Sequence, residues 1–233
     1  MRILALESSA KAVSVCVLED GRLVGQYYQN SGLTHSRTLL PMVQALLSNL
    51  ELRMGDIYLV AVSRGPGSFT GLRIGVATAK GLAQPLSLPC CGVSTLEAMA
   101  TQAAPVWDGV LCPVMDARRE QIYNAVFSSE QGRLFRLQPD RAIAIDQLAE
   151  EIKKSGKPYF LVGDGAAMCY NKLRERELPV VLAPENLRFQ SAYGVALAAQ
   201  EAELSSAEAL VPVYLRLSQA ERERLEKEKL LNT

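Results

Sequence analysis

Ile3-Leu4-Ala5-Leu6-Glu7-Ser8-Ser9-Ala10-Lys11-Ala12-Val13-Ser14-Val15-Cys16-Val17-Leu18 sets the fold. Ile3 to Leu6 is a short unbroken apolar run ending on an acid, the mark of a buried strand. Ser8 to Lys11 reads as a tight turn and Val13 to Leu18 as a second strand. Asp20-Gly21 is a hairpin turn, and Leu23 to Tyr28 is a third strand. The chain repeats this opening in its second half. Val110 to Met115 is a strand, Asp116 to Glu120 a turn, Gln121 to Phe127 a strand, Gln131-Gly132 a turn and Arg133 to Gln138 a strand. With Glu7 set over Asp116, Leu4-Ala5-Leu6 lies over Pro113-Val114-Met115, and Val13 to Val17 lies over Ile122 to Val126. Strand, acid, turn, strand, Gly turn, strand therefore occurs twice, which predicts an α/β chain with an internal duplication.

Working outward, a helix is expected over Ser36 to Leu50, capped by Thr34 or Ser36, with Pro41 tolerated only near its first turn. A buried strand over Asp56 to Ser63 runs into Gly65-Pro66-Gly67-Ser68-Phe69-Thr70-Gly71. A helix then starts near Leu72, capped by Ser68 or Thr70, and ends near Pro85. Ser94 caps another helix running to Thr101, with Glu97 at the capping-box spacing. In the second half a helix, the strand Tyr159 to Val162, the turn Gly163-Asp164-Gly165 and a further helix follow. Pro105, Asp108 and Gly109 mark a boundary. The expected units are an N-terminal lobe over 1–104, a C-terminal lobe over 105–217 and a charged helical tail over 218–233. In that tail Glu221 to Lys229 alternate in sign and form i,i+4 pairs, with docking of a partner as the other reading.

The 233 residues carry 25 basic and 25 acidic side chains, a formal charge of zero. Lone nucleic-acid binders usually carry a basic surplus, so this balance argues against that class. His35 is the single histidine, so one chain builds no two-histidine metal site. The five cysteines follow no CxxC spacing and are odd in number, which reads as buried small residues in a reducing cytosol. No stretch has the length and apolarity of a membrane span, and the run after Met1 ends at Glu7, so no signal peptide is expected.

Two groups of residues are candidates for function. Glu7 and Asp116 are carboxylates at matching strand ends, a placement that suits magnesium or a nucleotide phosphate between two lobes. Ser8 beside Glu7, and Gly163 and Gly165 in a strand-to-helix turn, join this weak candidate site. The alternatives are that the acids cap their own turns and that the glycines make a plain turn. The Gly65–Gly71 loop precedes a helix N-terminus but lacks the GK[ST] ending of a phosphate loop. It is either an anion site flanked by Arg64 and Arg73 or a structural loop. The second group lies on two helices. Gly71, Gly75 and Ala79 share one face of the second helix, where each interior glycine costs about 0.5–1 kcal/mol relative to alanine. Leu39, Val43, Leu46 and Leu50 make one stripe on the first helix, and Leu40, Met42 and Leu47 make another. Two stripes exceed what a surface helix buries, which points to a subunit interface, with packing inside the chain as the alternative. The candidate interface residues are His35, Leu39, Leu40, Val43, Leu47, Leu72, Gly75, Val76, Ala79 and Lys80. His35 reads as a capping or interface hydrogen-bonder, since no GxSxG elbow supplies it with a nucleophile.

Several segments then become familiar: Ile3–Ser9, His35–Pro41, GPGSFTGLRIG from Gly65 to Gly75, Gly92–Leu96, Met115–Arg118 and Pro212–Arg216. In this order they resemble the TsaB (YeaZ) family of partner proteins in threonylcarbamoyladenosine synthesis on tRNA. The resemblance implies two similar lobes of the actin-like, sugar-kinase and Hsp70-like ATPase architecture. It implies a catalytically silent subunit that pairs with TsaD, is joined by the ATPase TsaE, and forms homodimers through the same surface, over His35 to Leu50 and Leu72 to Leu82. TsaD-like subunits carry a metal-binding histidine pair four residues apart, whereas here Leu39 stands four residues after His35. The resemblance therefore implies no metal and no tightly bound cofactor on this chain, with ATP and magnesium used by the complex and tRNA reached only through it. Two other readings stay open: a phosphotransferase using Glu7, Asp116 and the Gly163–Ala166 turn on ATP, and, more remotely, a peptidase.

Overall fold

A computed structural model describes residues 1–216. The charged tail expected over 218–233 lies outside the described residues.

The described residues form two five-stranded sheets. The first contains β1 (Arg2–Glu7), β2 (Val13–Glu19), β3 (Arg22–Gln29), β4 (Leu59–Gly65) and β5 (Cys90–Ser94), in the order β3-β2-β1-β4-β5. The second contains β6 (Gly109–Asp116), β7 (Gln121–Glu130), β8 (Arg133–Ala144), β9 (Tyr159–Val162) and β10 (Val180–Leu182), in the order β8-β7-β6-β9-β10. The orders match strand for strand, so the duplication expected from the two openings is a duplication of topology. In each sheet the first two pairings are antiparallel and the next two parallel. The hairpin turns match as well. Asp20 and Gly21, like Gln131 and Gly132, all have positive φ, the conformation of the tight turn that suits twisted strands.

The copies differ in detail. Glu7 pairs with Ser14, whereas Asp116 pairs with Ile122, so the second turn is one residue tighter than the alignment of Val13 over Ile122 implies. Pro113 interrupts the β6–β7 ladder, and the buried Asn124 side chain donates to the Pro113 carbonyl in the gap.

Helices α1 (His35–Asn49) and α2 (Phe69–Ala83) cover one face of the first sheet, and α4 (Ile145–Ser155) and α5 (Ala166–Arg174) the matching face of the second. Between the sheets lie α3 (Thr95–Ala103) and α7 (Ala192–Ala199), with the one-turn α6 (Glu185–Arg188) preceding α7. These helices are exchanged: α3 packs on the second sheet and α7 on the first. At Gly194 the helices approach so closely that a side chain would strike the Ala98 carbonyl.

Several boundaries differ from expectation. Helix α2 begins at Phe69, three residues before Leu72, because Ser68 is the cap and accepts from the Gly71 amide. Strand β4 begins at Leu59, since 54–56 form a 3-10 turn stapled by Asp56. Strand β8 continues past Gln138 to Ala144. Pro41 sits in the second turn of α1, beyond its expected limit, but it and Arg37, whose carbonyl loses an amide partner there, are both exposed.

Candidate functional site

The ends of β1 and β6 face a cleft of about 590 Å³ between the lobes. On the first lobe its wall is the Ser9–Lys11 turn with Gly67–Thr70. On the second lobe it is Met115–Arg118, Tyr123 and Asp164. Residues 213–216 run across the mouth. The Val213 amide donates to the Arg64 carbonyl at 2.6 Å, and Tyr214 stacks on Phe69 at 4.7 Å between ring centres. Arg73 covers the same Phe69 ring and donates to the Tyr214 hydroxyl at 3.1 Å. Arg216 reaches the second lobe and donates to the Ala117 carbonyl at 2.7 Å. The sequence shows the Pro212–Arg216 segment but carries no local signal of where it lands.

Of the five residues of the candidate phosphate site, only Asp116 lines the cleft. Glu7 is fully buried behind the turn, its Oε1 accepting from the Ser9 amide at 2.5 Å. Burial pushes its pKa up, against the Ser9 and Ser63 hydroxyls, the Ser9 amide and the His35 ring, which oppose the rise. Asp116 is exposed and accepts from the Arg118 amide at 2.7 Å. Both acids cap their own turns. Ser8 is buried and donates to the Gly71 carbonyl at 2.9 Å. Gly163 has a positive φ, and a side chain there would strike the Val114 carbonyl; one at Gly165 would come within 2.8 Å of the Asp116 amide. These glycines seat the β9–α5 turn on the end of β6. Asp164, between them, was not singled out from sequence. It accepts from Gln190 at 2.9 Å, and burial, helped by the nearby Asp116 charge, raises its pKa.

The Gly65–Gly71 loop is filled by protein. The Ser68 amide donates to the Ser9 carbonyl at 2.7 Å, and a Cβ at Gly67 would stand 2.5 Å from that oxygen. Side chains at Gly71 and Gly75 would collide with Ser8. The glycine face of α2 therefore packs on the first-strand turn of its own chain. With Glu7 enclosed and the loop glycines spent on Ser8 and Ser9, the residues do not fit a magnesium-nucleotide site built on Glu7. Among the described residues no three His, Cys, Asp or Glu side chains are placed to share a metal ion.

The interface candidates divide by burial. Leu39, Val43, Leu47, Leu72, Gly75, Val76 and Ala79 lie in the chain's own core. The second stripe read on α1 is thus partly core: Leu47 faces inward, while Leu40 is 43% exposed. Leu33, just before α1, is 50% exposed. His35 begins α1 and is half-buried, with Nε2 2.7 Å from the Ala10 carbonyl. Lys80 is half-buried and donates to the Glu208 carbonyl at 3.1 Å. The outer faces of the two helices expose Arg37, Leu40, Pro41, Gln44 and Ala45 on α1 and Thr70, Arg73 and Ala77 on α2.

All five cysteines are free and buried; burial lifts the Cys91 thiol to about 11 and that of Cys169 to about 12. Among the described residues no helix is long and apolar enough to cross a membrane.

Residues 29–223 match the family model described as TsaD: tRNA N6-adenosine threonylcarbamoyltransferase. The chain is 31% identical, over 98% of its length and all of the relative's, to the tRNA threonylcarbamoyladenosine biosynthesis protein TsaB of Bacillus subtilis. It is 34% identical to the Escherichia coli protein of the same name, over 71% of this chain and 72% of that one. Among solved structures it is similar to YeaZ from Pseudomonas aeruginosa, with a TM-score of 0.78 and 28% identity over 92% of this chain and 99% of that one.

Proposed function

The chain belongs to the TsaB family of tRNA threonylcarbamoyladenosine biosynthesis proteins, and from that premise we propose that it is the catalytically silent docking subunit of that synthesis. It pairs with a TsaD-like catalytic subunit and supports transfer of threonylcarbamoyl to the tRNA adenosine beside the anticodon. The observation that carries this reading is a match running the full length of both this chain and a TsaB relative. Catalytic silence is supported by the position four residues after the lone His35, where Leu39 is a core residue at 1% exposure rather than a second imidazole. A TsaE-like ATPase joins the pair, ATP and magnesium act within the complex, and tRNA is met through the partner.

The docking surface is the outer side of α1 and α2, where Leu33 and Leu40 leave apolar area exposed. In isolation the same surface pairs two copies of this chain. Reconstitution tests the reading: purified TsaD-like and TsaE-like subunits, an activated threonylcarbamoyl donor and tRNA, with and without this chain. Modified adenosine, measured by nucleoside mass spectrometry, should appear only when this chain is present. Undiminished modification without it would overturn the proposal. The phosphotransferase reading draws no support from the site, because Glu7 does not reach the cleft.

A further inference from the structure

The outer faces of α1 and α2 are too small for a stable interface by themselves. A specific complex buries about 800 Å² on each partner, over roughly 20–30 residues a side. The centre of such a patch is apolar. Among the exposed side chains of the two helices, Leu40 is the one large apolar group. A partner seated on them needs more surface from a neighbouring element.

That element lies beside α2. On the helical face of the first sheet, α1 covers β2 and β3, and α2 covers β4. Ser205 bridges Cys90 at the outer edge of β5, and the chain then passes along α2 to the end of β4, where the Val213 amide meets the Arg64 carbonyl. Lys80 donates to the Glu208 carbonyl at 3.1 Å, and Arg73, two turns earlier on α2, donates to the Tyr214 hydroxyl at 3.1 Å. Residues 208–214 therefore flank α2 on the side away from α1. Ala207 and Leu210 are buried in the core shared with both helices, whereas Val211, Val213 and Tyr214 stay 53%, 39% and 40% exposed. Tyrosine and arginine are the side chains that most often anchor protein interfaces. Here Arg73 lies 3.8 Å over the Phe69 ring, and Tyr214 stacks on the same ring. Both are held in place before a partner arrives, so docking on them costs little side-chain freedom.

Resting on the docking reading above, we propose that the TsaD-like subunit covers residues 211–214 together with α1 and α2. Tyr214 and Arg73 are its anchors, and Val211 and Val213 are the apolar flank.

Titration calorimetry with a purified TsaD-like subunit tests this on the full-length chain, diluted until light scattering gives a monomer. Val211→Glu should weaken pairing at least tenfold, as should Leu40→Glu, because each puts a charge into an apolar contact. Leu137→Glu, at a 52% exposed position on β8 of the second lobe, should leave pairing unchanged. Unchanged pairing of Val211→Glu beside weakened pairing of Leu40→Glu would overturn the extension and leave docking on the helices standing. Unchanged pairing of both variants would overturn the docking face and the extension together. An equal loss in Leu137→Glu would also overturn the proposal, since the added charge would then act wherever it is placed. Hydrogen exchange reads the natural protein without substitution. Amides of residues 208–216 should exchange more slowly in the complex than in the monomer, and unaltered exchange there would overturn the proposal even if Val211→Glu does not fold.

Discussion

Glu7 Oε1 accepts the amide of Ser9 and Asp116 Oδ1 accepts the amide of Arg118, so the carboxylates ending the two central strands close the same two-residue turn in both lobes. The relationship explains why each opening ends its first strand on an acid. A short carboxylate captures an amide that the ladder no longer pairs. Only the surroundings differ. Asp116 faces the cleft and solvent, while Glu7 is enclosed by β4, α1 and the turn itself.

That enclosure has a pH signature. Glu7 has a raised pKa in the folded protein, so folding takes up a proton between the unfolded value, 4.5, and the folded one. The folded state binds more protons there, and stability falls as pH rises through that window. Urea unfolding of the natural protein and of Glu7→Gln should therefore give a difference that moves against the natural protein from pH 4.5 upward. It should level off once the pH exceeds the folded pKa. A difference independent of pH would show that the carboxyl is not held neutral. Asp164, also raised, is common to both proteins and cancels in the comparison.

The α2 glycines separate by what lies over them. Gly75→Ala should destabilise by about 1–3 kcal/mol, because its Cβ would collide with the Ser8 hydroxyl in a packed interior. Gly81→Ala, with nothing within 4 Å, should stabilise by about 0.5–1 kcal/mol through helix propensity. Urea midpoints of the two variants should move in opposite directions. If both move upward, the Ser8 turn yields and the glycine face is not closely packed.

The three-strand openings were legible because each strand is an apolar run bounded by an acid, a turn and a Gly hairpin. The helix between the sheets was not. Ala192–Ala199 is apolar on nearly every side, since the first sheet and α3 both cover it, and such a helix shows no stripe. Strand β10 is too short to show a period. The interface residues show the limit of periodicity most sharply. Leu47, Val76 and Ala79 recur at helical spacing, but spacing alone does not distinguish the chain's own core from a partner's surface. The helical cost of Gly71 and Gly75 calls for close packing, read from sequence as a helix of another subunit, and within the chain a neighbour that is not a helix lies over both. That neighbour is Ser8, distant in sequence, and no local pattern points to it.

This distinction sets the variants for the docking surface. Leu40→Glu should weaken self-association and pairing with a TsaD-like subunit at least tenfold by light scattering, while the thermal melt moves little, because Leu40 is 43% exposed. Val76→Glu, at 5% exposure, should unfold the chain outright, since it puts an unpaired charge in the core. Unchanged association of Leu40→Glu would remove the outer face of α1 from the interface.

Tyr214 joins the segment at the mouth of the cleft to α2 in two ways that substitution separates. Tyr214→Phe keeps the stack on Phe69 and loses only the hydrogen bond from Arg73, so it should cost about 0.5–1.5 kcal/mol. Tyr214→Ala loses both and leaves Phe69 open, which should raise the cost to about 2–4 kcal/mol. The two variants, compared by urea unfolding, rank the contacts: equal losses would mean that the ring stack contributes nothing and that, of the two Tyr214 contacts, only the Arg73 bond stabilises. A larger loss for alanine is expected because the stack removes two aromatic faces from water, whereas Arg73 is exposed and can bond to solvent instead.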